Sequence, residues 1–487
     1  MGSNSFRLQV GRIVGNQIYP LDGLKETVRL AAGLTPDKLL DAAAQERGLI
    51  ALARFGERLR GFAADAVRAV ATNTLRVARN APEFLARAEE ALGFPIEVVA
   101  GREEARLIYL GVAHTLPNRR SRHLVVDIGG GSTEFIIGRN IKPLLLESLY
   151  MGCVGFSLRF FPDGRIDRRA MKAADLAARR ELQTIVHAFR ATGWDVAVGS
   201  SGTAKAICDL LEFNGYAGGA ITRDGLERLR ARLIEAGHAG KTGLAGMRPE
   251  RVAVIAGGVA IMGAVFSEFG LDDMAFSEGA LRLGVLYDLL GRYHHEDLRE
   301  ATVGRFMQRY EVDRRHAERV AAAALALYRQ LRPNDAIEES PAAHFLAWAA
   351  RLHEIGVSIA HSGYHKHSAY MLANADMPGF SRRDQALLSR LVLAHRGKLE
   401  RVQPLTRESP EWLLIFCLRI AAVLHRARDD APLPDLQARA SARGFDLLVD
   451  RHWLAAAPLT ASALAEEMQQ WAGVGIELRV RGQRTGG

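Results

Sequence analysis

Cysteine is nearly absent. The chain of 487 residues has three, Cys153, Cys208 and Cys417, far apart and odd in number. They cannot build a disulfide framework or, alone, a zinc site, and they suit a reducing compartment. Long hydrophobic runs are missing too. The longest uncharged apolar stretch, residues 252–266, holds 15 residues with three glycines. That is short of the ~20 needed to cross a bilayer and reads as a buried helix. No cationic, hydrophobic leader opens the chain, so the expected compartment is the cytoplasm, with peripheral membrane association left open. No repeat of solenoid period is present.

What remains is an ordinary globular composition, with 48% hydrophobic and 24% charged residues. At one domain per ~100–200 residues the length predicts several domains. Basic residues outnumber acidic ones 64 to 55, a net charge of +9. Such an excess favours anionic partners: nucleic acid, phospholipid, or phosphorylated small molecules and polymers. Many of the arginines, such as Arg68, Arg79, Arg87 and Arg230, sit in Ala/Arg-rich helical patterns and read as solvated faces.

The first ~290 residues alternate strand-like and helical runs, the pattern of an α/β protein. Strands are expected over 6–13, 96–100, 124–127, 134–137, 144–149 and 196–198, and helices over 37–59, 83–92, 168–189, 225–236 and 251–266. From about residue 298 the pattern turns helical at a 3.6-residue period, over 317–331, 342–352, 384–394 and 412–426. Residues 444–454 and 475–480 read as strands again.

The strongest chemical signal is Asp127-Ile128-Gly129-Gly130-Gly131-Ser132-Thr133-Glu134 at the end of an apolar run. Successive glycines let backbone N–H groups approach a phosphate without an intervening Cβ. Ser132 and Thr133 add hydroxyl donors, and Asp127 and Glu134 offer hard oxygens for a hydrated Mg²⁺. A hairpin turn would need glycine alone, not the flanking acids and hydroxyls. Two further loops have similar chemistry. Gly2-Ser3-Asn4-Ser5 precedes a strand, and Gly199-Ser200-Ser201-Gly202-Thr203 leads from a strand into a helix whose N-terminus favours anions. Gly240-Lys241-Thr242 lacks the spacing of a Walker A loop, and Gly257-Gly258 with Gly263 lacks that of a dinucleotide fingerprint.

Together with GREEARL at 101–107, TNTLRVARN at 72–80, MGCVGF at 151–156, SEGALRLGVLYDLL at 277–290 and the histidine-rich segment 352–372, these loops carry a resemblance. The sequence resembles, from end to end, the exopolyphosphatase/guanosine pentaphosphate phosphatase family, and most closely its long proteobacterial exopolyphosphatases. The resemblance implies an α/β fold of two ribonuclease-H-like (actin-like) domains, residues 1–108 and 109–293, of the sugar kinase/actin/heat-shock-70 superfamily. A helical HD-like domain, 294–431, and a small C-terminal α/β domain, 432–487, would follow. By the same resemblance Glu104 activates water and Arg76 lies against the phosphate. The phosphate would be held by Gly2, Ser3, Asn4, Ser5, Gly129, Gly130, Gly131, Ser132, Thr133, Gly199, Ser201, Gly202 and Thr203, with Mg²⁺ on Asp127 and Glu134. Hydrolysis of a phosphoanhydride needs little more than an oriented water and charge to stabilise the transition state.

The expected activity is release of orthophosphate from the ends of inorganic polyphosphate by a homodimer with no nucleic-acid partner. Rival readings are hydrolysis of guanosine pentaphosphate, a non-catalytic polyphosphate or nucleotide sensor, and a kinase. Glu104 beside the cleft favours water as acceptor over the kinase. In the HD-like part His316 and the pair His353-Glu354 stand at ligand positions, but the pair's acid is Glu and the late aspartate is replaced by Ile-Ala-Ala-Val-Leu at 420–424. A degenerate metal site is therefore expected, with His361, His365, Lys366 and His367 facing a polyanion channel. Leu283 departs from the acid of the family's late motif. The family also has a strand ending in Asp before the glycine that matches Gly2. Met1 is accordingly expected to be an internal methionine read as the start; the N-terminal mass of the native protein tests this, and a terminus at Met1 or Gly2 would favour the sensor.

Overall fold

The computed structural model describes residues 1–14, 17–116, 120–293, 298–337, 340–402 and 405–483. The chain forms two units, Met1–Glu296 and Asp297–Gly487. The expected boundary at 293/294 touches residues outside the described ones.

The first unit begins with an antiparallel hairpin of β1 (Phe6–Val14) and β2 (Gln17–Glu26), with a register shift between Val10 and Gly11. Pro20 and Asp22-Gly23 are turn signals that hide β2 in the sequence. Phe6 is fully buried and packs with Leu52, Phe55 and Phe84 beneath helices Ala42–Leu59 and Ala81–Leu92. Asp41 caps the first of these, accepting from the Ala44 N–H at 2.6 Å. Two short parallel strands follow, β3 (Ala69–Ala71) and β4 (Ile96–Val98). Met1 runs along β3, its ammonium donating to Val70 O at 2.5 Å and its carbonyl accepting from the Thr72 N–H at 3.2 Å. Leu8, Leu52, Phe55, Val70, Leu92 and Val285 are among the apolar residues lining the cleft of this unit.

The larger sheet is built from β5 (Arg122–Ile128), β6 (Thr133–Arg139), β7 (Lys142–Leu149), β8 (Val196–Ser200), β9 (Ala220–Thr222) and β10 (Asp273–Phe276). Its order is β7-β6-β5-β8-β10-β9. The first three strands are antiparallel, β5, β8 and β10 are parallel, and β9 is antiparallel to β10. Helices cover both faces. Arg168–Thr192 and Ile255–Phe269 enclose one core with Phe135, Phe189 and Phe269. Gly101–Ala113 packs on the other face through Ala105, Ile108 and Val112. The glycines of helix Ile255–Phe269 serve packing: Gly257 lies against Cys153 and Ser157, and Gly258 against Thr203. Gly240 and Lys241 form a short 3-10 turn.

The second unit is helical, with Leu298–Arg309, Arg314–Leu331, Pro341–Leu352, Tyr364–Asn374, Arg382–Ala394 and Glu411–Leu424. It ends in a three-stranded sheet of β11 (Leu436–Ser441), β12 (Gly444–Asp450) and β13 (Glu477–Gln483). One core joins helices and sheet, from Val303 through Trp348, Phe416 and Phe445 to Trp471 and Leu478. The strand expected over 444–454 stops at Asp450, whose carboxylate accepts from the Trp453 N–H at 2.7 Å and starts helix Arg451–Ala456. His365 is buried and its Nε2 accepts from Arg401 at 3.0 Å, so it does not face a channel, whereas His361 and Lys366 are exposed.

Helices Gly101–Ala113 and Leu281–Tyr293 touch backbone to backbone. A Cβ at Gly284 would stand 1.7 Å from Leu107 O, and one at Gly111 would stand 2.3 Å from Ala280 O. Gly284→Ala should force the pair apart, at about 1–3 kcal/mol for overpacking, and lower both the thermal midpoint and hydrolysis. An unchanged midpoint by circular dichroism would show that the helices part freely.

Candidate active site

Strand parity assembles the site. Leu124, Val126 and Ile128 point into the core under helix Arg168–Thr192, while Val125 and Ile136 point at helix Gly101–Ala113. Side chains two residues apart on a strand share a face. Asp127 and Glu134 therefore lie on the face covered by the helix whose first turn carries Glu104.

Asp127 and Glu134 are direct partners across β5 and β6, where like charges repel. They are 7% and 1% exposed, and Glu104 is 7% exposed. Burial, with the charge of Glu104, pushes the Asp127 carboxyl up to about 7. Burial and then Glu104 and Asp127 push Glu134 well above the usual carboxylate range. Glu104 is also raised by burial, against the pull of Arg76. Crowded, desolvated carboxylates are a site that a cation resolves. The oxygen donors of Asp127 and Glu134 fit Mg²⁺.

Arg76 donates to Glu104 Oε2 at 3.1 Å and to Val99 O at 2.9 Å. It holds the carboxylate rather than lining the cleft. The loops converge on Glu104, Asp127 and Glu134. In the first, Ser3 Oγ accepts from Thr74 at 2.8 Å and Asn4 Oδ1 is buried without a partner. In the second, the Gly129 N–H donates to Ser132 O at 2.9 Å, closing the turn. Gly152 approaches Gly130 so closely that a Cβ there would stand 2.4 Å from its carbonyl. In the third, Ser201 is left-handed at φ 85, a conformation costly for a non-glycine residue and concentrated at functional sites. Its Oγ accepts from the Thr203 N–H at 3.2 Å as helix Ser201–Phe213 begins.

The cleft measures about 560 Å³. Gly2, Ser3, Asn4, Ser5, Gly129, Gly130, Ser132, Ser201, Gly202 and Thr203 line it with Glu104, Asp127 and Glu134. Three expected phosphate ligands are placed otherwise. Gly131 packs against Asn73 and Ser3. The Thr133 hydroxyl donates to Met151 O at 2.6 Å, and the Gly199 carbonyl accepts from the Ser277 N–H at 3.0 Å.

Sequence reasoning missed the cations. Arg7, Lys25, Lys205, Arg248, Arg251 and Arg282 all line the cleft. Burial, then Arg282 and Arg251, hold Arg7 below its usual value, and burial, Arg7 and Arg251 do the same to Lys25. Glu250, 3.6 Å from Lys25, offsets part of this. Arg251 lies where a side chain at Gly202 would be, 1.9 Å from its Cβ position. The alternation Ser5-Phe6-Arg7 was the one available signal: with Phe6 inside, Arg7 turns to the opposite face.

A family profile described as the Ppx/GppA phosphatase family matches residues 9–293, and one described as Ppx/GppA phosphatase, domain III, matches 298–468. A guanosine-5'-triphosphate,3'-diphosphate pyrophosphatase of Aeromonas hydrophila is 37% identical over 485 residues, 99% of this chain and 97% of that protein. One from Pseudoalteromonas translucida is 37% identical over 483 residues, 99% of this chain and 97% of that protein. Among solved structures, an exopolyphosphatase from Cytophaga hutchinsonii matches with a TM-score of 0.54 and 25% identity, over 60% of this chain and 96% of its own. A Ppx/GppA family member from Aquifex aeolicus matches with a TM-score of 0.51 and 26% identity, over 61% and 97%.

The folded value of Asp127 near 7 exceeds its ordinary 3.8. Its contribution to stability is thus complete below the ordinary value and lost as pH rises through the folded one. The thermal midpoint of chelator-treated protein should carry a falling component between about pH 5 and about pH 8 that Asp127→Asn removes. Added Mg²⁺ should restore the midpoint at the alkaline end. Equal pH slopes in both proteins would exclude Asp127 as the group.

Proposed function

The chain belongs to the Ppx/GppA phosphatase family, a family of hydrolases, and from that premise we propose that it hydrolyses the terminal phosphoanhydride of guanosine pentaphosphate. The observation that carries the chemistry is the buried Glu104, held by Arg76 and lining the same cleft as the phosphate loops. In this reading Glu104 takes a proton from water as the water oxygen bonds to the terminal phosphorus. The bridging P–O bond breaks, and orthophosphate and guanosine tetraphosphate leave. Backbone N–H groups of Gly130 and Ser132 and of the helix at Ser201 orient the phosphoryl oxygens. Arg7, Arg251 and Arg282 hold the following phosphates. Mg²⁺ on Asp127 and Glu134 would supply charge neutralisation at the transferred group.

The nucleotide reading rests on the names of relatives that match almost the whole chain. Inorganic polyphosphate is the second reading. A cleft wall of mutually crowding cations suits a linear polyanion, and a solved exopolyphosphatase matches 60% of this chain. On this account residues 1–108 and 109–293 are the two ribonuclease-H-like domains, 294–431 the HD-like domain and 432–487 the terminal α/β piece.

Phosphate release from guanosine pentaphosphate and from long-chain polyphosphate, measured side by side, separates the readings. The expected result is the larger kcat/KM on the nucleotide, with Glu104→Gln lowering kcat by about 10²–10⁴-fold on either substrate and leaving binding intact. Release from polyphosphate alone would install the second reading. Near-normal turnover by Glu104→Gln would remove Glu104 as the base.

A further inference from the structure

The second unit gathers ligating groups that the proposed hydrolysis does not use. His316, His353 and Glu354 each present an atom within 4.8 Å of the others, the one such group of three among the described residues. They are 4%, 2% and 9% exposed. Local structure brings them together. Asp313 caps helix Arg314–Leu331 by accepting from the His316 N–H at 3.1 Å, which sets His316 in the first turn. His353 and Glu354 directly follow helix Pro341–Leu352, which shares its core with the first helix.

The distances are those of a bridged cluster. Glu354 Oε1 lies 3.9 Å from Nε2 of His316 and 3.9 Å from Nε2 of His353. That is too long for a hydrogen bond. It is within reach of one cation with ligands at about 2.0–2.2 Å on either side, at a wide angle. His353 is oriented for the purpose. Its Nδ1 lies 2.6 Å from Ala350 O, so that nitrogen carries the proton and Nε2 turns its lone pair to Glu354, the arrangement that tunes metal-bound histidine. His316 Nε2 is the ring nitrogen that faces Glu354, while its buried Nδ1 has no partner in the protein.

One charge already sits on Glu354. Arg428 Nη2 donates to the same Oε1 at 2.5 Å, from a side chain 44% exposed. The Arg428 backbone is left-handed at φ 60. A half-exposed guanidinium can turn to solvent when a stronger cation arrives.

We infer that His316, His353 and Glu354 form a site for one divalent transition-metal ion of the zinc or cobalt kind, with Arg428 as the counter-charge of Glu354 when the ion is away. Two imidazoles and one carboxylate select such ions, whereas Mg²⁺ prefers oxygen ligands and keeps its waters. This site is chemically different from the one at Asp127 and Glu134. Its ion would tie the start of one helix to the end of the next.

Co²⁺ is the probe. Chelator-treated full-length protein is titrated with Co²⁺, and bound metal is read by elemental analysis after desalting and by visible absorption. Wild type should bind one ion per chain with a nitrogen/oxygen-ligated spectrum that Zn²⁺ abolishes and excess Mg²⁺ leaves unchanged. His353→Gln and Glu354→Gln should each weaken binding by at least about 10-fold. Arg428→Ala should tighten it, and Asp127→Asn should leave the spectrum in place. No uptake by wild type above that of His353→Gln overturns the inference, as does a spectrum lost in Asp127→Asn and kept in His353→Gln. Should His353→Gln fail to fold, equal Co²⁺ affinity in wild type, Glu354→Gln and Arg428→Ala overturns it as well.

Discussion

Glu104, Asp127 and Glu134 are buried ionisable groups lining one cleft, and the arrangement of the first unit answers to them. An isolated buried carboxylate costs several kcal/mol to ionise, and direct cross-strand partners of like charge add to that. The fold meets the cost in parts. Arg76 binds Glu104, and Ser148 donates to Glu134 at 2.8 Å. The helix beginning at Ser201 offers its positive end to the cleft. On the proposed reading the remaining negative charge would hold a divalent cation, while Arg7, Lys25, Lys205, Arg248, Arg251 and Arg282 on the wall would hold phosphate. On that reading, burial that would be a defect in a structural protein prepares a polyanion site.

That arrangement depends on backbones meeting without side chains between them. Gly111 and Gly284 let the helix bearing Glu104 touch its neighbour, Gly152 lets the Cys153–Phe160 segment close on Gly130, and Gly202 leaves room for Arg251. Each contact sets the distance between a chemical group and the cleft. Buried ion pairs act alongside them. Arg106 binds Glu103 at 2.7 Å and also Asp288, whose other oxygen accepts from Arg68 at 2.6 Å. This network pins the helix of Glu104 to the helix Leu281–Tyr293. In the second unit Arg419 plays a comparable part, reaching Glu467 and the carbonyls of Ala394 and Gly397 from a position 1% exposed.

Much of this was legible along the chain. The apolar run before Asp127 announced a strand with an acid at its end, whereas the pairing that sets Asp127 opposite Glu134 came from the register of β5 and β6. Glycine and hydroxyl clusters at strand ends announced the loops. Turn residues concealed β2, because Pro20 and Asp22-Gly23 sit within an edge strand that tolerates them. Gly444 to Leu454 read as one strand because nothing local distinguishes Asp450 as a cap until its carboxylate meets the Trp453 N–H.

The sequence by itself determined the α/β alternation, the helical second half and the three loops with their acids, because periodicity and glycine placement act over a few residues and need no distant partner. Only tertiary structure decided which groups meet. Arg76 turned to Glu104 and Thr133 to Met151, while Arg7, Arg251 and Arg282, scattered over almost the whole first unit, came to one wall. It also brought His316 to His353 and Glu354 across a gap that no local pattern bridges. Side-chain partnership is set by packing between distant segments, and a charged residue on an amphipathic element reads the same from its neighbours whether it ends in solvent or in a cleft.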